Sequence, residues 1–349
     1  MRTCCPLSIR LFLLAIPLLL SGCFSGSQLE VSLDDYTSRL AYVLDTDLPQ
    51  PQKQVLPPLA STDTLIHHIA PVNINLREFH ALNGCELNRL VALRNTSLGK
   101  SQLPSQRLVY ESHVVSELTS CKNSVATSNP ELANKLAQWA ALKAQDFTLT
   151  WANVVQTSQE LRLALNTPES LLSAENNKDA LASINSLYFL NAVLPPNTND
   201  VRNPVDSKEL ETQLHIIRSA RLPATLWLNQ QTLYNSLSEL NLTLPAHLDA
   251  ISCPEGRASE QAKILRNVFY LFFIKEIQPV GSVVNQYHYK LAPLWDDWME
   301  RESLRAQFKT YIRQNSEEGF KHYQDAMTTH VEMWQHFLKR CNLSPVAPS

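Results

Sequence analysis

Glycine is scarce in this chain, with seven residues in 349. Only Gly26, Gly84, Gly99, Gly256, Gly281 and Gly319 follow residue 22. Backbone that turns at positive φ or wraps its amides around a phosphate draws on glycine. The shortage therefore weighs against a sandwich or barrel with regular tight turns and against a glycine-rich nucleotide loop. Basic charge is not in excess either, since 30 Lys and Arg face 33 Asp and Glu. No basic patch or Lys/Arg run occurs, which argues against nucleic acid and against electrostatic adhesion to anionic lipid. No apolar run reaches the roughly 20 residues that span a bilayer, and Val268 to Ile274 reads as a buried core helix. HExxH, GxSxG, GxGxxG and CxxC are all missing.

The N-terminus carries the clearest positive signal. Arg2 and Arg10 flank the start of ten largely apolar residues, Leu11 to Leu20, and the run Leu20-Ser21-Gly22-Cys23 closes it. A basic start, a short apolar core and small residues before a cysteine read as an export signal ending in a lipobox. On this reading residues 1–22 are a lipoprotein signal peptide. Cys23 is then diacylated on sulfur, becomes the first residue of the mature chain and is acylated again on its new amine. Two or more acyl chains hold a protein durably at a membrane, whereas one is marginal. Phe24, in place of an aspartate, points to outer-membrane sorting with the body facing the periplasm. Residues 23–32 are expected to form a lipidated tether, with Ser32 capping the first helix. Without the leader's two arginines, 28 Lys and Arg remain against 33 Asp and Glu, a net charge of −5.

Besides Cys23 the mature chain keeps Cys85, Cys121, Cys253 and Cys341. An even number in an oxidising compartment reads as two disulfides, and three pairings are possible. Cys85–Cys121 and Cys253–Cys341 are favoured because each staples neighbouring helices within one half of the chain. Chain entropy alone assigns such loops roughly 4 kcal/mol each. Pro49, Pro51, Pro57 and Pro58 enforce an extended connector, read as a spacer. Beyond it the 3.6-residue period dominates. The expected fold is all-α, a multi-helix elongated bundle forming one large domain or two packed halves, 33–195 and 205–341. The Pro- and Asn-rich stretch 195–204 is the candidate boundary. Single helices are expected over 130–166 and 176–194, with separate pieces near 260–277, 282–290 and 293–314.

Candidate chemistry is thin. On the last helix Phe320, Tyr323, Met327, His330, Trp334, Phe337 and Cys341 form an apolar face, beside a polar stripe of His322, Asp325, Thr329, Glu332 and His336. The outer histidines of that stripe are about 21 Å apart along a helix axis, so one metal cannot touch both. The stripe reads as a solvated face, and His67-His68 as loop histidines. Ser97-Leu98-Gly99-Lys100-Ser101 ends like a phosphate loop, but Arg94 occupies the first glycine position, which rejects a nucleotide.

The densest polar stretch is Cys85-Glu86-Leu87-Asn88-Arg89-Leu90-Val91-Ala92-Leu93-Arg94-Asn95-Thr96-Ser97-Leu98-Gly99-Lys100, followed by Pro104-Ser105-Gln106-Arg107-Leu108-Val109-Tyr110-Glu111. Arg94, Asn95, Ser97, Arg107, Tyr110 and Glu111 form the candidate polar site. Its two arginines are placed to bind an anion or to bridge Glu86 and Glu111, and structural ion pairing is the plainer alternative. The run CxLxxLVAxRNxSLGK…PSQRLxYE resembles that of an uncharacterised family of gammaproteobacterial lipoproteins, a domain of unknown function. The resemblance covers most of the mature chain and implies an outer-membrane host and a lipid-anchored periplasmic domain. It implies no catalytic residues.

The expected role is interaction: a scaffold or accessory component contacting an envelope protein or the cell wall, and the membrane through Cys23. No cofactor, metal, nucleotide or nucleic acid is expected. The alternatives are an envelope hydrolase acting on cell wall or lipid, and a carrier of an apolar ligand.

Overall fold

The computed structural model describes residues 27–175, 177–194 and 204–344. The expected signal peptide, Cys23 and residues 195–203 of the candidate boundary lie outside them. All secondary structure among the described residues is helical, and the fold is all-α.

Helix α1 spans Gln28–Leu44 and starts five residues before the expected position. The cause is a capping box: Ser27 accepts the amide of Glu30, and Glu30 accepts that of Ser27. Leu29, Leu33, Tyr36 and Leu40 follow at helical spacing and are buried. Ser32, expected as the cap, lies inside the helix and donates to Glu276 Oε2 at 2.8 Å.

The proline connector is extended, but it is not a free spacer. It carries the short helix α2 (Thr62–Leu65) and buries Leu48, Leu59 and Leu65. Helices α3 (Leu76–Ala81), α4 (Glu86–Arg94), α5 (Ser97–Lys100) and α6 (Pro104–Val125) follow. Next come α7 (Pro130–Thr157) and α8 (Gln159–Asn166). The expected single helix over 130–166 breaks at Ser158, whose extended backbone and side chain cap α8. Side chains of these two helices hold the connector's backbone. Asn166 accepts the amide of Leu59 at 2.6 Å, and Arg162 donates to the Ala60 carbonyl at 2.8 Å. Asn153 pairs with both the amide and the carbonyl of His67. Extended backbone leaves its polar groups unpaired, and these carboxamides satisfy them.

Helix α9 (Ala180–Ala192) starts four residues later than expected. It is followed by α10 (Ser207–Ala220) and α11 (Leu222–Ala250), which runs on through Pro245. The pieces expected between 260 and 290 merge into a longer rod that runs on to Glu300, while the piece expected over 293–314 is broken at residues 301–305. Helix α12 (Glu260–Val268) passes through a π-helical segment, Phe269–Ile277, into α13 (Gln278–Glu300). Helix α14 (Ala306–Arg313) likewise continues through a π turn, Gln314–Glu318, into α15 (Gly319–Arg340).

Two apolar cores result. The larger draws on residues from Leu29 to Cys341, so both ends of the chain close one interior. In it Trp151 meets Trp298 edge to face at 6.3 Å. The smaller joins Leu82, Leu87 and Leu90 to Val114, Leu118, Leu132 and Leu136. Each core has its disulfide, in the expected pairing: Cys85–Cys121 and Cys253–Cys341. The first ties the start of α4 to α6, and the second ties the loop after α11 to the end of α15.

The two bridges are expected to act on different parts of the body. Cys85→Ser with Cys121→Ser should open residues 76–103 to limited proteolysis first. Cys253→Ser with Cys341→Ser should lower the unfolding midpoint of the whole body, at a cost of about 4 kcal/mol. Identical cleavage maps for the two variants would contradict this division.

Candidate functional site

Four of the six candidate residues come together where α4, α5 and α6 meet α7. Helix α5 folds back on the end of α4. Thr96 accepts the amide of Gly99 at 3.0 Å and donates to the Leu93 carbonyl at 2.8 Å. A Cβ on Gly99 would sit 2.3 Å from that carbonyl oxygen, so only glycine fits the contact. The phosphate-loop glycine is therefore a packing glycine. Arg94 donates to the Gly99 carbonyl and seals the corner.

Beneath the corner runs a chain of charges. Glu111, 1% exposed, pairs with Arg107 one turn earlier on α6. Lys143 of α7 reaches Glu111 at 3.3 Å and Asp146 at 3.3 Å. The Arg107 guanidinium also stands 5.4 Å from the ring centre of Tyr110. Burial, and next the Glu111 charge, push the Tyr110 hydroxyl up to about 12. Arg94 feels Arg107, Tyr110 and Glu111, and burial with the Arg107 charge lowers its pKa. Of the two bridges expected from sequence, Arg107–Glu111 forms, while Glu86 pairs with Arg89 instead. Asn95 and Ser97 lie exposed on the corner itself. Arg107 Nη1 and Gln102 Oε1 are buried without a hydrogen-bond partner, so the cluster keeps one spare donor and one spare acceptor. Buried alternating charge of this kind locks α6 to α7 and is costly to break on one side.

The other histidine candidates have ordinary places. His322, Asp325, Thr329, Glu332 and His336 are all exposed. His67 is held by its backbone and by a 2.7 Å contact of Nε2 with the Ser303 carbonyl. Among the described residues no group of three or more His, Cys, Asp or Glu is placed to hold a metal ion. Nor is any of their helices long and apolar enough to cross a membrane. A cavity of about 440 Å3 lies elsewhere, at the starts of α9 and α11, where Glu169, Lys178, Asp179 and Thr225 line it. It includes none of the six candidate residues.

Two polar clusters were not foreseen. His330 is fully buried on α15. Its Nδ1 meets Asn241 Oδ1 at 2.8 Å, and Asn241 donates its amide to the Ala326 carbonyl at 2.9 Å. That fixes the proton on Nδ1, so Nε2 accepts from Tyr36 at 2.8 Å and from the Trp334 indole at 3.2 Å. Phe273 of the π segment packs its ring 4.7 Å from the imidazole. The second cluster centres on Arg301. It donates to the Leu194 carbonyl at 2.8 Å, to Asn191 at 3.0 Å and to Asp297 at 2.9 Å, and lies over the Trp151 ring. It clamps the carbonyl end of α9, where a cation is favoured. A histidine among Phe and Trp on a core face was the available signal for the first. For the second there was none.

A family profile, described as a protein of unknown function (DUF3080), matches residues 33–345. The chain belongs to the DUF3080 family. No curated protein and no solved structure matches it. The match begins inside α1 and ends just past Cys341, so it takes in the smaller core, all of the larger one but Leu29, both disulfides and the whole charge chain.

Glu111→Gln is expected to cost about 3 kcal/mol in denaturant unfolding, because it strands Arg107 and Lys143. Glu111→Leu combined with Arg107→Met, which leaves Lys143 its pairing with Asp146, should recover part of that loss. The His330 knot predicts acid sensitivity. Burial lowers the His330 pKa from 6.5 to about 3. Below pH 6.5 the unfolded imidazole takes up a proton that the folded one refuses. Stability is therefore full above pH 6.5 and falls as the pH drops towards 3, by about 1.4 kcal/mol per unit. His330→Gln should flatten the slope between pH 6.5 and 4.5, and an unchanged slope would place the sensitivity elsewhere.

Proposed function

We propose that this protein is an outer-membrane lipoprotein of the cell envelope, attached through acylated Cys23, whose periplasm-facing body serves as an interaction or scaffold component. Its family is, on this reading, one of gammaproteobacterial lipoproteins. Location rests on the Leu20–Cys23 lipobox, and two disulfides accord with an oxidising compartment. The early start of α1 sharpens the picture. Four residues separate Cys23 from Gln28, about 14 Å at full stretch, so the body is held close against the leaflet.

One observation carries the interaction reading. At the α4–α5 corner Arg94 and Arg107 are used within the fold, in a bond to the Gly99 carbonyl and a pair with Glu111, while three leucines of the same run face outward. Leu93, Leu98 and Leu103 are 47%, 86% and 63% exposed. Exposed apolar groups concentrated in eleven residues mark a contact surface. The polar groups most suited to acid–base work are engaged in ion pairs, so the geometry favours recognition over turnover.

Metabolic labelling with palmitate should mark the wild-type chain and not Cys23→Ala, which should leave the outer-membrane fraction. A photo-crosslinker at position 98 should trap an envelope component in cells, and one at Asp325 on the solvated stripe should not. Equal yields from the two positions would contradict the interaction reading, whatever the labelling shows.

A further inference from the structure

The cavity of about 440 Å3 where α9 and α11 begin falls within the size range of small-molecule sites. Its wall is held in place by side chains. Asn177 accepts the amide of Ser173 at 3.0 Å and donates to the Ser173 carbonyl at 2.8 Å, which closes the loop before α9 into a ring. Fully buried Asn229 of α11 accepts the Leu172 amide at 3.3 Å and donates to the Thr225 carbonyl at 2.7 Å. That pins the loop to the helix, with Leu172 and Leu222 as buried apolar lining.

Thr225 points to a ligand. It lines the cavity at 6% exposure, and its hydroxyl has no hydrogen-bond partner among the described residues. A buried hydroxyl left unpaired is costly, and a polar occupant of the cavity recovers that cost. The charged lining is equally uncommitted. Lys178, Glu169 and Asp179 bring both signs to one cavity, yet none of them forms an ion pair among the described residues. Helices α9 and α11 also begin without a side-chain cap, at Asp179 and Arg221, and their amino ends favour an anion. Glu169 and Asp179 would repel a ligand that is only an anion, and Lys178 one that is only a cation. No aromatic ring lines the cavity among the described residues, so a sugar or a base has no face to stack on.

We infer that this cavity binds a small zwitterion, a free amino acid or a short peptide. Its carboxylate meets Lys178 and the amino ends of α9 and α11, its amine meets Glu169 and Asp179, and Thr225 adds a hydrogen bond from the wall. Charge-assisted contacts at both ends give such a ligand its orientation. The inference goes beyond the scaffold role and needs neither the Cys23 anchor nor the leucine corner.

The test is calorimetric titration of the full chain in detergent with alanine, alanylalanine and trialanine, each free, N-acetylated or C-amidated. At least one free form should bind saturably, and blocking either of its ends should weaken it roughly tenfold. Hydrogen exchange should slow on its addition within residues 169–180 and 219–225. Lys178→Met should remove the penalty for amidation, and Glu169→Gln with Asp179→Asn the penalty for acetylation. All three side chains are exposed, so the unfolding midpoint without ligand should stay put. Thr225→Val keeps the shape of the side chain and removes only its hydroxyl, and it should weaken the free form without destabilising the fold. No binding of any free form at millimolar concentration, or indifference to both blocked ends, overturns the proposal. So does protection confined to other segments, or inorganic phosphate binding as tightly as the best free form, which would leave a simple anion site. Failure of palmitate labelling or of crosslinking at position 98 bears on the proposed envelope role and leaves this result standing.

Discussion

The neutral His330 imidazole is the point on which the main body turns. Three stretches distant in sequence converge on it, Tyr36 from α1, Asn241 from α11 and Phe273 from the π segment, and Trp334 joins them from its own helix. Every ring nitrogen has a partner, so a polar group sits at zero exposure with its hydrogen bonds made. Apolar packing alone tolerates sliding, because one leucine contact resembles the next. A buried imidazole with a fixed proton does not, since shifting any neighbour would strand a donor or acceptor. This explains why α1, which lies outside the α11–α15 pair in sequence, has one defined seat. The π segment belongs to the same constraint. Its extra residue per turn lets Phe269 stack on Trp334 at 4.7 Å and Phe273 lie against His330.

Local signals were legible and long-range ones were not. The all-α class followed from scarce glycine and helical periodicity. Both disulfides followed from proximity in sequence, and the core face of the last helix from its three- and four-residue steps. Elsewhere a nearer rule was overlooked. The Ser27–Glu30 box outranks Ser32 as the start of α1, and Ser158 ends α7 through its own cap. Separate pieces were expected between 260 and 290, yet the rod passes Pro279 directly after the π segment and carries Pro293 within α13. The connector failed for another reason. Prolines report an extended backbone, but whether that backbone is free depends on Asn153, Arg162 and Asn166, about a hundred residues away.

The candidate site shows the same limit. Arg94, Arg107, Tyr110 and Glu111 were named from polar density along one stretch, and they do meet. Lys143 completes their charge chain and is invisible from that stretch, because helix α7 brings it from 32 residues beyond Glu111. Its presence decides between the two readings of the arginines. With Lys143 and Asp146 in place, the cluster alternates in sign and its charges are paired from within, so it works first as a lock between helices.

That lock has a consequence for the surface above it. Glu111 could serve as a surface carboxylate only if α6 were rotated, and the Lys143 pairing forbids that rotation. Above that lock Leu93 of α4, Leu98 of α5 and Leu103, just before α6, stay exposed. Leaving three large apolar side chains in water lowers solubility and gains nothing for folding, since the smaller core is already closed by Leu87, Leu90 and Leu118 beneath. Their exposure is therefore not a by-product of making the fold, and it is the feature on which the proposed interaction role rests.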